Sequence, residues 1–228
     1  MKGTAYMVGV GPGEPELMTL KAVRVIRECG GVAVPSREPA CSTAYRIAAQ
    51  VIPGLEQKRL IALSMPMTRN REEVRTAHRA AADRIEELLD AGEDVACLTL
   101  GDPTVYSTTG YLQRILIADG YRTETVSGVP SFCAAAARLR IPLCEWNQPL
   151  RLLPSVHAEP SAFDEGGNYV LMKPAGRMAG LKEQLTASGK NVMAVENCGM
   201  EGERVFLSAD ELPEDAGYFT VLIVREES

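Results

Sequence analysis

The feature that most constrains the fold of this chain is the repeated alternation of short apolar runs with amphipathic helical patterns in its first 120 residues. The first apolar run ends in glycines and prolines, as a buried strand does where it enters a loop. In the first helical pattern Thr19 is the expected N-cap and Gly30 stops the run. Such an order requires a parallel sheet covered by helices. Strands are predicted at about 4–10, 32–34, 59–63 and 94–100, and helices at about 20–29, 43–51, 71–91 and 106–118.

The second part of the chain has more strands than helices. After a strand at about 123–126 and an alanine-rich helix at about 131–139, four prolines interrupt the pattern between residues 141 and 167. We therefore predict two α/β domains, 1–120 and 121–228. The remaining strands are predicted at about 150–153, 168–172, 191–195, 204–207 and 218–224, with one helix at about 177–188.

Charge and composition exclude several classes of function. The formal net charge is −6, which argues against a nucleic-acid-binding surface because such a surface needs a clustered basic face. No stretch approaches the roughly 20 apolar residues of a membrane span, and residues 1–11 read as a strand and turn rather than a leader. We expect a soluble, cytoplasmic protein with no membrane partner and no nucleic-acid partner.

Neither the histidines nor the cysteines form a metal-binding pattern. His78 and His157 are far apart in sequence and have no cysteine or acidic partner at ligand spacing, so no protein-bound metal is predicted. The six cysteines contain no CxxC pair, and most lie in apolar or alanine-rich runs. We predict that they are free, buried thiols.

The loop after the first strand contains the glycines of the sequence GVGPG, residues 9–13. It is not a dinucleotide-binding fingerprint, because Glu14 stands where the third glycine is needed, and Pro12 and Pro15 lack the N–H groups that cradle a pyrophosphate. A P-loop lysine motif is also missing from the sequence. Two interpretations stay open: a rigid backbone presented to a ligand at the carboxyl end of a strand, or a tight strand-to-helix connection.

Two further segments are candidates for ligand contact. In LGDPTVYS, residues 100–107, Gly101 permits close approach to the main chain, and Asp102 either accepts hydrogen bonds from a ligand or shapes the turn before Pro103. In SGVPSF, residues 127–132, Ser131 is either a helix N-cap or a ligand contact.

Taken together, these segments resemble the tetrapyrrole (corrin/porphyrin) methylase superfamily. The resemblance rests on GVGPGEPELMTLKAV at 9–23, LGDPTVYS at 100–107 and SGVPSFCAAAARLRIPL at 127–143, and it covers nearly the whole chain. The PMTR segment at 66–69 and the sequence PSFCAAAARL are similar to the precorrin-2 C20-methyltransferase branch.

The resemblance implies two α/β domains with S-adenosyl-L-methionine (SAM) bound in the cleft between them, a homodimer, and a small-molecule tetrapyrrole substrate. The implied reaction methylates C20 of precorrin-2, or of its cobalt form, in cobalamin biosynthesis, and gives precorrin-3A and S-adenosylhomocysteine. Residues implied to contact SAM are Pro12, Gly101, Asp102, Val105, Tyr106, Ser131, Phe132, Met172, Cys198 and Thr220.

Methyl transfer from a sulfonium to an electron-rich meso carbon needs placement rather than an activated nucleophile. Either Asp102 or a water is the expected acceptor of the C20 proton. The carboxylates of the substrate call for cations, and Arg69 and Lys173 are the predicted contacts, with Arg71, Arg138 and Arg140 as further candidates.

Two alternatives to C20 methylation remain open. One is another reaction of the same superfamily, such as the uroporphyrinogen-III C-methyltransferase reaction. The other is a non-catalytic module that binds SAM or a tetrapyrrole.

Overall fold

The computed structural model describes residues 1–66, 68, 70–154, 166–174 and 178–226, which form two compact units, Met1–Pro130 and Ser131–Ser228. The division follows residue 130 rather than residue 120, where the sequence placed it. The reason is the strand at Arg122–Val126, which pairs with the first strand of the chain and so belongs to the first unit.

The first unit contains a five-stranded parallel sheet with the order β3-β2-β4-β1-β5. Its central strands are almost completely buried, which explains why they read as continuous apolar runs rather than as alternating patterns. The strands are β1 Thr4–Gly9, β2 Gly31–Val34, β3 Arg59–Ala62, β4 Val95–Thr99 and β5 Arg122–Val126.

Four helices cover this sheet, two on each face. Val8 and Leu98 point towards α1 and α2, while Met7 and Cys97, their neighbours along the strands, point towards α3 and α4. The helices are α1 Leu20–Glu28, α2 Thr43–Val51, α3 Arg71–Asp90 and α4 Thr109–Ala118.

The helix ends test two predictions. Thr19 is confirmed as the N-cap of α1, because its hydroxyl accepts a hydrogen bond from the N–H of Ala22 at 3.1 Å. The prediction that α4 begins at Tyr106 is wrong. Tyr106 has a φ of 46°, in the left-handed region, which is incompatible with a helix interior.

The second unit contains a mixed five-stranded sheet with the order β6-β7-β10-β8-β9, in which only β6 and β7 are parallel. Helix α6 packs on one face of this sheet, and helix α5 lies against β8 and β10. The elements are α5 Ser131–Leu139, β6 Leu150–Pro154, β7 Asn168–Met172, α6 Met178–Ala187, β8 Asn191–Glu196, β9 Arg204–Phe206 and β10 Thr220–Arg225.

All six cysteines are free, but only half of them are buried. Cys29 and Cys97 lie in the core of the first unit, where burial raises the pKa of each thiol to about 12. The prediction of burial is wrong for Cys41, Cys133 and Cys144, which lie on surface-facing positions of helical turns and a loop. In the part of the chain that the structure describes, no helix is both long and apolar enough to cross a membrane.

Candidate functional site

Three backbone segments of the first unit meet at the carboxyl edge of its sheet. Strands β4, β1 and β5 are neighbours and parallel, so the residues that follow them come together. A Cβ atom on Gly9 would lie 2.5 Å from the carbonyl oxygen of Gly101 and 2.7 Å from the nitrogen of Gly128. A Cβ atom on Gly128 would lie 2.2 Å from the same carbonyl oxygen. Only glycine fits at these positions, because the main chains themselves are in contact.

The strand order makes this edge the expected position of a ligand. The connection after β1 leads past β4 to β2, whereas the connection after β4 leads past β1 to β5. Open α/β sheets bind ligands at such a switch point, outside the carboxyl ends of the strands. The glycine loops predicted from the sequence therefore lie where this architecture places a binding site.

The first two loops are also joined by a pair of backbone hydrogen bonds. The N–H of Gly101 donates to the carbonyl of Gly11 at 2.7 Å, and the N–H of Gly11 donates to the carbonyl of Gly101 at 3.3 Å. Pro12 follows directly and is buried. Two of the predicted SAM residues, Pro12 and Gly101, are thus neighbours in the structure.

Asp102 is buried and fully engaged in the loop. The residue as a whole is 7% exposed to solvent. One carboxylate oxygen accepts hydrogen bonds from the N–H and the hydroxyl of Thr104, at 2.8 and 2.5 Å, and the other accepts from the N–H of Gly128 at 3.0 Å. The carboxylate therefore shapes its own turn and also ties the loop after β4 to the loop after β5. Its role as a proton acceptor stays a prediction.

Val105 and Tyr106 complete the loop before α4. The N–H of Val105 donates to the carbonyl of Asp102 at 3.2 Å, which closes a tight turn. Tyr106 then adopts its left-handed conformation and is 45% exposed. A non-glycine residue held in that region marks a position that the surroundings over-determine.

A chain of hydroxyl groups fixes the end of this loop. The hydroxyl of Ser107 lies 2.9 Å from that of Thr99, at the end of β4, and 2.7 Å from that of Thr109, at the start of α4. Ser107 also accepts a hydrogen bond from the N–H of Thr109 at 3.2 Å. This network was not predicted from the sequence, although Ser107 is the last residue of the LGDPTVYS segment.

In the second unit, three predicted SAM residues lie at one edge of the sheet. Met172 ends β7 and pairs with Val221, so it is adjacent to Thr220, the first residue of β10. Thr220 pairs in turn with Glu196 at the end of β8, two residues before Cys198. The structure thus brings together Met172, Cys198 and Thr220, which the sequence separates widely.

Thr220 carries a hydroxyl that its own unit leaves unsatisfied. The residue is 1% exposed, and its Oγ1 atom has no hydrogen-bond partner among the described residues. A buried hydroxyl without a partner costs free energy, so this group is available to a ligand. The assignment of Thr220 to the adenosine part of SAM stays a prediction.

Two carboxylates, Glu196 and Glu203, hold the turn that precedes β10 and the turn that follows β8. Glu196 is buried and accepts hydrogen bonds from the N–H of Gly217 and from Arg204. Glu203 accepts a hydrogen bond from the N–H of Gly199 at 2.8 Å and forms an ion pair with Arg138. Burial works to raise the pKa of Glu203, but the Gly199 N–H and Arg138 outweigh it, so the pKa is lowered.

The predicted cationic contacts divide into three groups. Lys173 follows Met172 with a φ of 60°, and its Nζ atom lies 5.5 Å from the ring centroid of Tyr218. Arg138 forms an ion pair with Glu203, and its role as a substrate contact stays a prediction. Arg69 lies outside the described residues, as does His157; Arg71 and Arg140 are exposed.

The remaining residues to be placed are Ser131 and Phe132, at the start of α5, and His78, on α3. Ser131 is the first residue of α5 rather than its N-cap, and Phe132 beside it is buried. His78 is buried on α3 and stacks on Tyr111, with 5.0 Å between the ring centroids. Among the described residues, no group of three His, Cys, Asp or Glu side chains is placed to hold a metal ion.

Comparison with known families agrees with this architecture. The family described as tetrapyrrole (corrin/porphyrin) methylases matches residues 4–213. The chain belongs to this family. The match spans both structural units, so the resemblance inferred from the loop motifs is confirmed.

Relatives of this tetrapyrrole methylase are similar over their full length. A probable cobalt-precorrin-2 C(20)-methyltransferase from Methanocaldococcus jannaschii is 31% identical over 96% of this chain and 95% of its own. A cobalt-precorrin-2 C(20)-methyltransferase from Salmonella typhimurium is 29% identical over 100% of this chain and 98% of its own.

A solved structure shares the fold of this tetrapyrrole methylase. The uroporphyrin-III-C-methyltransferase of Thermus thermophilus aligns with a TM-score of 0.72 and 26% identity. The alignment covers 99% of this chain and 95% of that chain. The two-domain α/β fold predicted from the sequence is confirmed by this likeness.

Proposed function

We propose that this tetrapyrrole methylase transfers a methyl group from SAM to C20 of precorrin-2, or of cobalt-precorrin-2, in cobalamin biosynthesis. The products are precorrin-3A, or its cobalt form, and S-adenosylhomocysteine. The observation that carries the proposal is the full-length similarity to C20-methyltransferases of two organisms, in a chain whose glycine loops converge at a switch point.

In this proposal the first unit holds the methionine part of SAM. Gly101, Asp102, Val105 and Tyr106 form one continuous loop, fixed to Gly11 and Gly128 by the hydrogen bonds described above. Pro12, in the neighbouring loop, is assigned to the mouth of the SAM site by the resemblance. A rigid, glycine-lined backbone suits a ligand that must be held within a few tenths of an ångström of its reacting partner.

The second unit holds the adenosine part in the same proposal. Thr220 offers an unsatisfied buried hydroxyl, and Met172 and Cys198 offer apolar and weakly polar surface beside it. Ser131 and Phe132 at the start of α5 are assigned to the SAM site from the resemblance alone.

SAM supplies an electrophilic methyl group when bound. The residues of this chain have to orient the acceptor carbon in line with the sulfur and remove the proton that C20 loses after transfer. Asp102 is the proposed acceptor of that proton. Lys173 and Arg69 are the proposed partners of substrate carboxylates, because ammonium and guanidinium groups bind carboxylates through charge-assisted hydrogen bonds.

A direct assay tests the reaction. The protein is incubated with SAM and, separately, with precorrin-2, cobalt-precorrin-2 and uroporphyrinogen III. We expect a product one methyl group heavier from one of the first two, with NMR placing the new methyl at C20. Methylation of uroporphyrinogen III instead would move the chain to that branch of the family, and calorimetric binding of S-adenosylhomocysteine without turnover would support a non-catalytic module.

We also propose a homodimer located in the cytoplasm. The dimer is implied by the resemblance to the family. Light scattering of the active protein at micromolar concentration tests it, and a monomeric mass would contradict it.

A further inference from the structure

A charged side chain ends strand β8, whose sequence is NVMAVE and whose four preceding residues are apolar and buried. That side chain belongs to Glu196, which is 5% exposed. Removing a carboxylate from water costs free energy unless hydrogen bonds replace the lost solvent. The hydrogen-bond partners of Glu196 therefore indicate why a buried carboxylate stands at the end of this strand.

Glu196 joins two elements of the second unit. Its Oε2 atom accepts a hydrogen bond from Nε of Arg204 at 2.6 Å and lies 2.5 Å from Nη2 of the same side chain in an ion pair; Arg204 is directly opposite on β9. Its Oε1 atom accepts a hydrogen bond from the N–H of Gly217 at 2.6 Å. Arg204 thus orients the carboxylate, and the carboxylate fixes the turn that precedes β10.

Gly217 lies so close to the Glu196 carboxylate that a side chain at position 217 would displace it. A Cβ atom at this position would lie 2.8 Å from Oε1 of Glu196. Since real Cβ atoms essentially never come that close to another atom, an alanine would push the carboxylate and the turn apart.

The turn at 217–219 positions the proposed adenosine residues. The carbonyl of Gly217 accepts a hydrogen bond from the N–H of Thr220 at 3.2 Å, which starts strand β10. The carbonyl of Phe219 accepts from the N–H of Asn197 at 3.2 Å, next to Cys198. The location of the unsatisfied Thr220 hydroxyl therefore depends on the bond between Glu196 and Gly217.

From these contacts we infer that Glu196 is a positioning residue for the adenosine half of SAM, acting through the 217–219 turn; the inference rests on the proposed function. Glu196 does not touch the methyl donor or the acceptor carbon. It sets where Thr220 and the residues after β8 meet the nucleoside.

Two variants test this from opposite sides of the same contact. Glu196→Gln leaves an amide that accepts from Gly217 or from Arg204 but not from both. Gly217→Ala keeps the carboxylate and displaces it sterically. In each variant we expect the Kd of S-adenosylhomocysteine and the KM of SAM to rise by about tenfold to a hundredfold, with kcat at saturating SAM within about threefold of wild type.

An adenosine fragment makes the test specific. The probe is 5′-methylthioadenosine, which lacks the amino-acid part of SAM. Its Kd should rise by the same factor as that of S-adenosylhomocysteine, because the displaced turn contacts only the nucleoside. A loss confined to S-adenosylhomocysteine would place the effect on the amino-acid part and overturn the inference.

Matched controls come from α6 in the same unit. Glu183→Gln removes an exposed carboxylate. Gly180→Ala adds a Cβ atom that meets nothing within 4 Å. Both should bind the two probes as the wild type does.

Binding of S-adenosylhomocysteine by the wild type distinguishes a failure of this inference from a failure of the proposed function. If the folded wild type does not bind S-adenosylhomocysteine, the proposed function fails. If the wild type binds and a folded Gly217→Ala protein binds equally well, the inference about Glu196 fails while the proposed function stands. If Glu196→Gln does not fold, the binding measurements on Gly217→Ala are sufficient to test the inference.

Discussion

The carboxylate of Asp102 accepts a hydrogen bond from the backbone N–H of Gly128 at 3.0 Å, although 26 positions of the chain separate the two residues. The bond links the loop after β4 to the loop after β5, on either side of β1 in the sheet. Two of the three proposed SAM-binding loops are thereby held in one arrangement before any ligand arrives.

Asp102→Ala should lower both stability and turnover. The N–H of Gly128 and the groups of Thr104 lose their acceptor, so we expect the free energy of unfolding to fall by about 1–3 kcal/mol and methyl transfer by roughly a hundredfold. Asp102→Asn retains one acceptor oxygen and should keep more of the stability but no more of the turnover. Urea denaturation and SAM-dependent product formation measure the two effects, and an active Asp102→Asn enzyme would refute a proton acceptor at this position.

Gly128→Ala should destabilise the first unit strongly. The added Cβ atom would lie 2.2 Å from the carbonyl oxygen of Gly101, and backbone on both sides leaves no flexible side chain to move aside. We expect a loss of about 3 kcal/mol or more in the free energy of unfolding. The control is Gly110→Ala on α4, where a Cβ atom meets nothing within 4 Å and the midpoint of urea unfolding should not fall.

Thr99→Val should weaken the hydroxyl chain behind the 101–106 loop without changing the shape of the side chain. The hydroxyl of Thr99 lies 2.9 Å from that of Ser107, and the valine methyl group offers no hydrogen bond. We expect a loss of about 1 kcal/mol in the free energy of unfolding. Thr108→Val is the matched control, because the Thr108 side chain makes no capping hydrogen bond to α4, and it should change stability by less than about 0.5 kcal/mol. Equal losses in both variants would contradict a role for the hydroxyl chain.

Glu203 should make stability depend on pH in the acidic range. Although burial opposes it, the Gly199 N–H and Arg138 hold the pKa of Glu203 below its ordinary value, so the unfolded chain binds a proton there more readily than the folded one. The stabilisation is therefore present above the ordinary glutamate pKa, about 4.3, and is lost as the pH falls through the lower folded-state value.

The corresponding experiment compares Glu203→Gln with the wild type by urea denaturation at a series of pH values below about 5. The variant should lose stability less steeply as the pH falls. Glu201→Gln, in the same turn and exposed, should follow the wild type. Identical slopes for wild type and Glu203→Gln would contradict the lowered pKa.

The amino-acid sequence by itself determined the class of fold and the loops that matter. Period and composition are local properties, so the strands and helices of the first unit could be recognised along the chain, and Thr19 could be identified as an N-cap. The glycine segments at 9–13 and 101 carry their own signal, because a glycine at the end of an apolar strand indicates close approach of backbone. The order of these segments sufficed to indicate the family.

Tertiary structure decided what the sequence pattern left open. Strand β5 joined the first unit through its pairing with β1, a long-range contact that no local pattern reports. The left-handed Tyr106, which shortened α4, likewise follows from the loop that Asp102 and Ser107 hold.

One residue of each unit shows which information is local and which is tertiary. Asp102 was visible as a candidate because it stands beside a glycine, yet its bond to Gly128 exists only once the parallel strands are aligned. Glu196 lies two residues before Cys198, which the resemblance assigned to SAM, but its hydrogen bond with Gly217 depends on the register of β8 against β10. Sequence sets the local conformation and the residues available for contact, whereas the contacts themselves join residues far apart in the chain and form only when the sheets assemble.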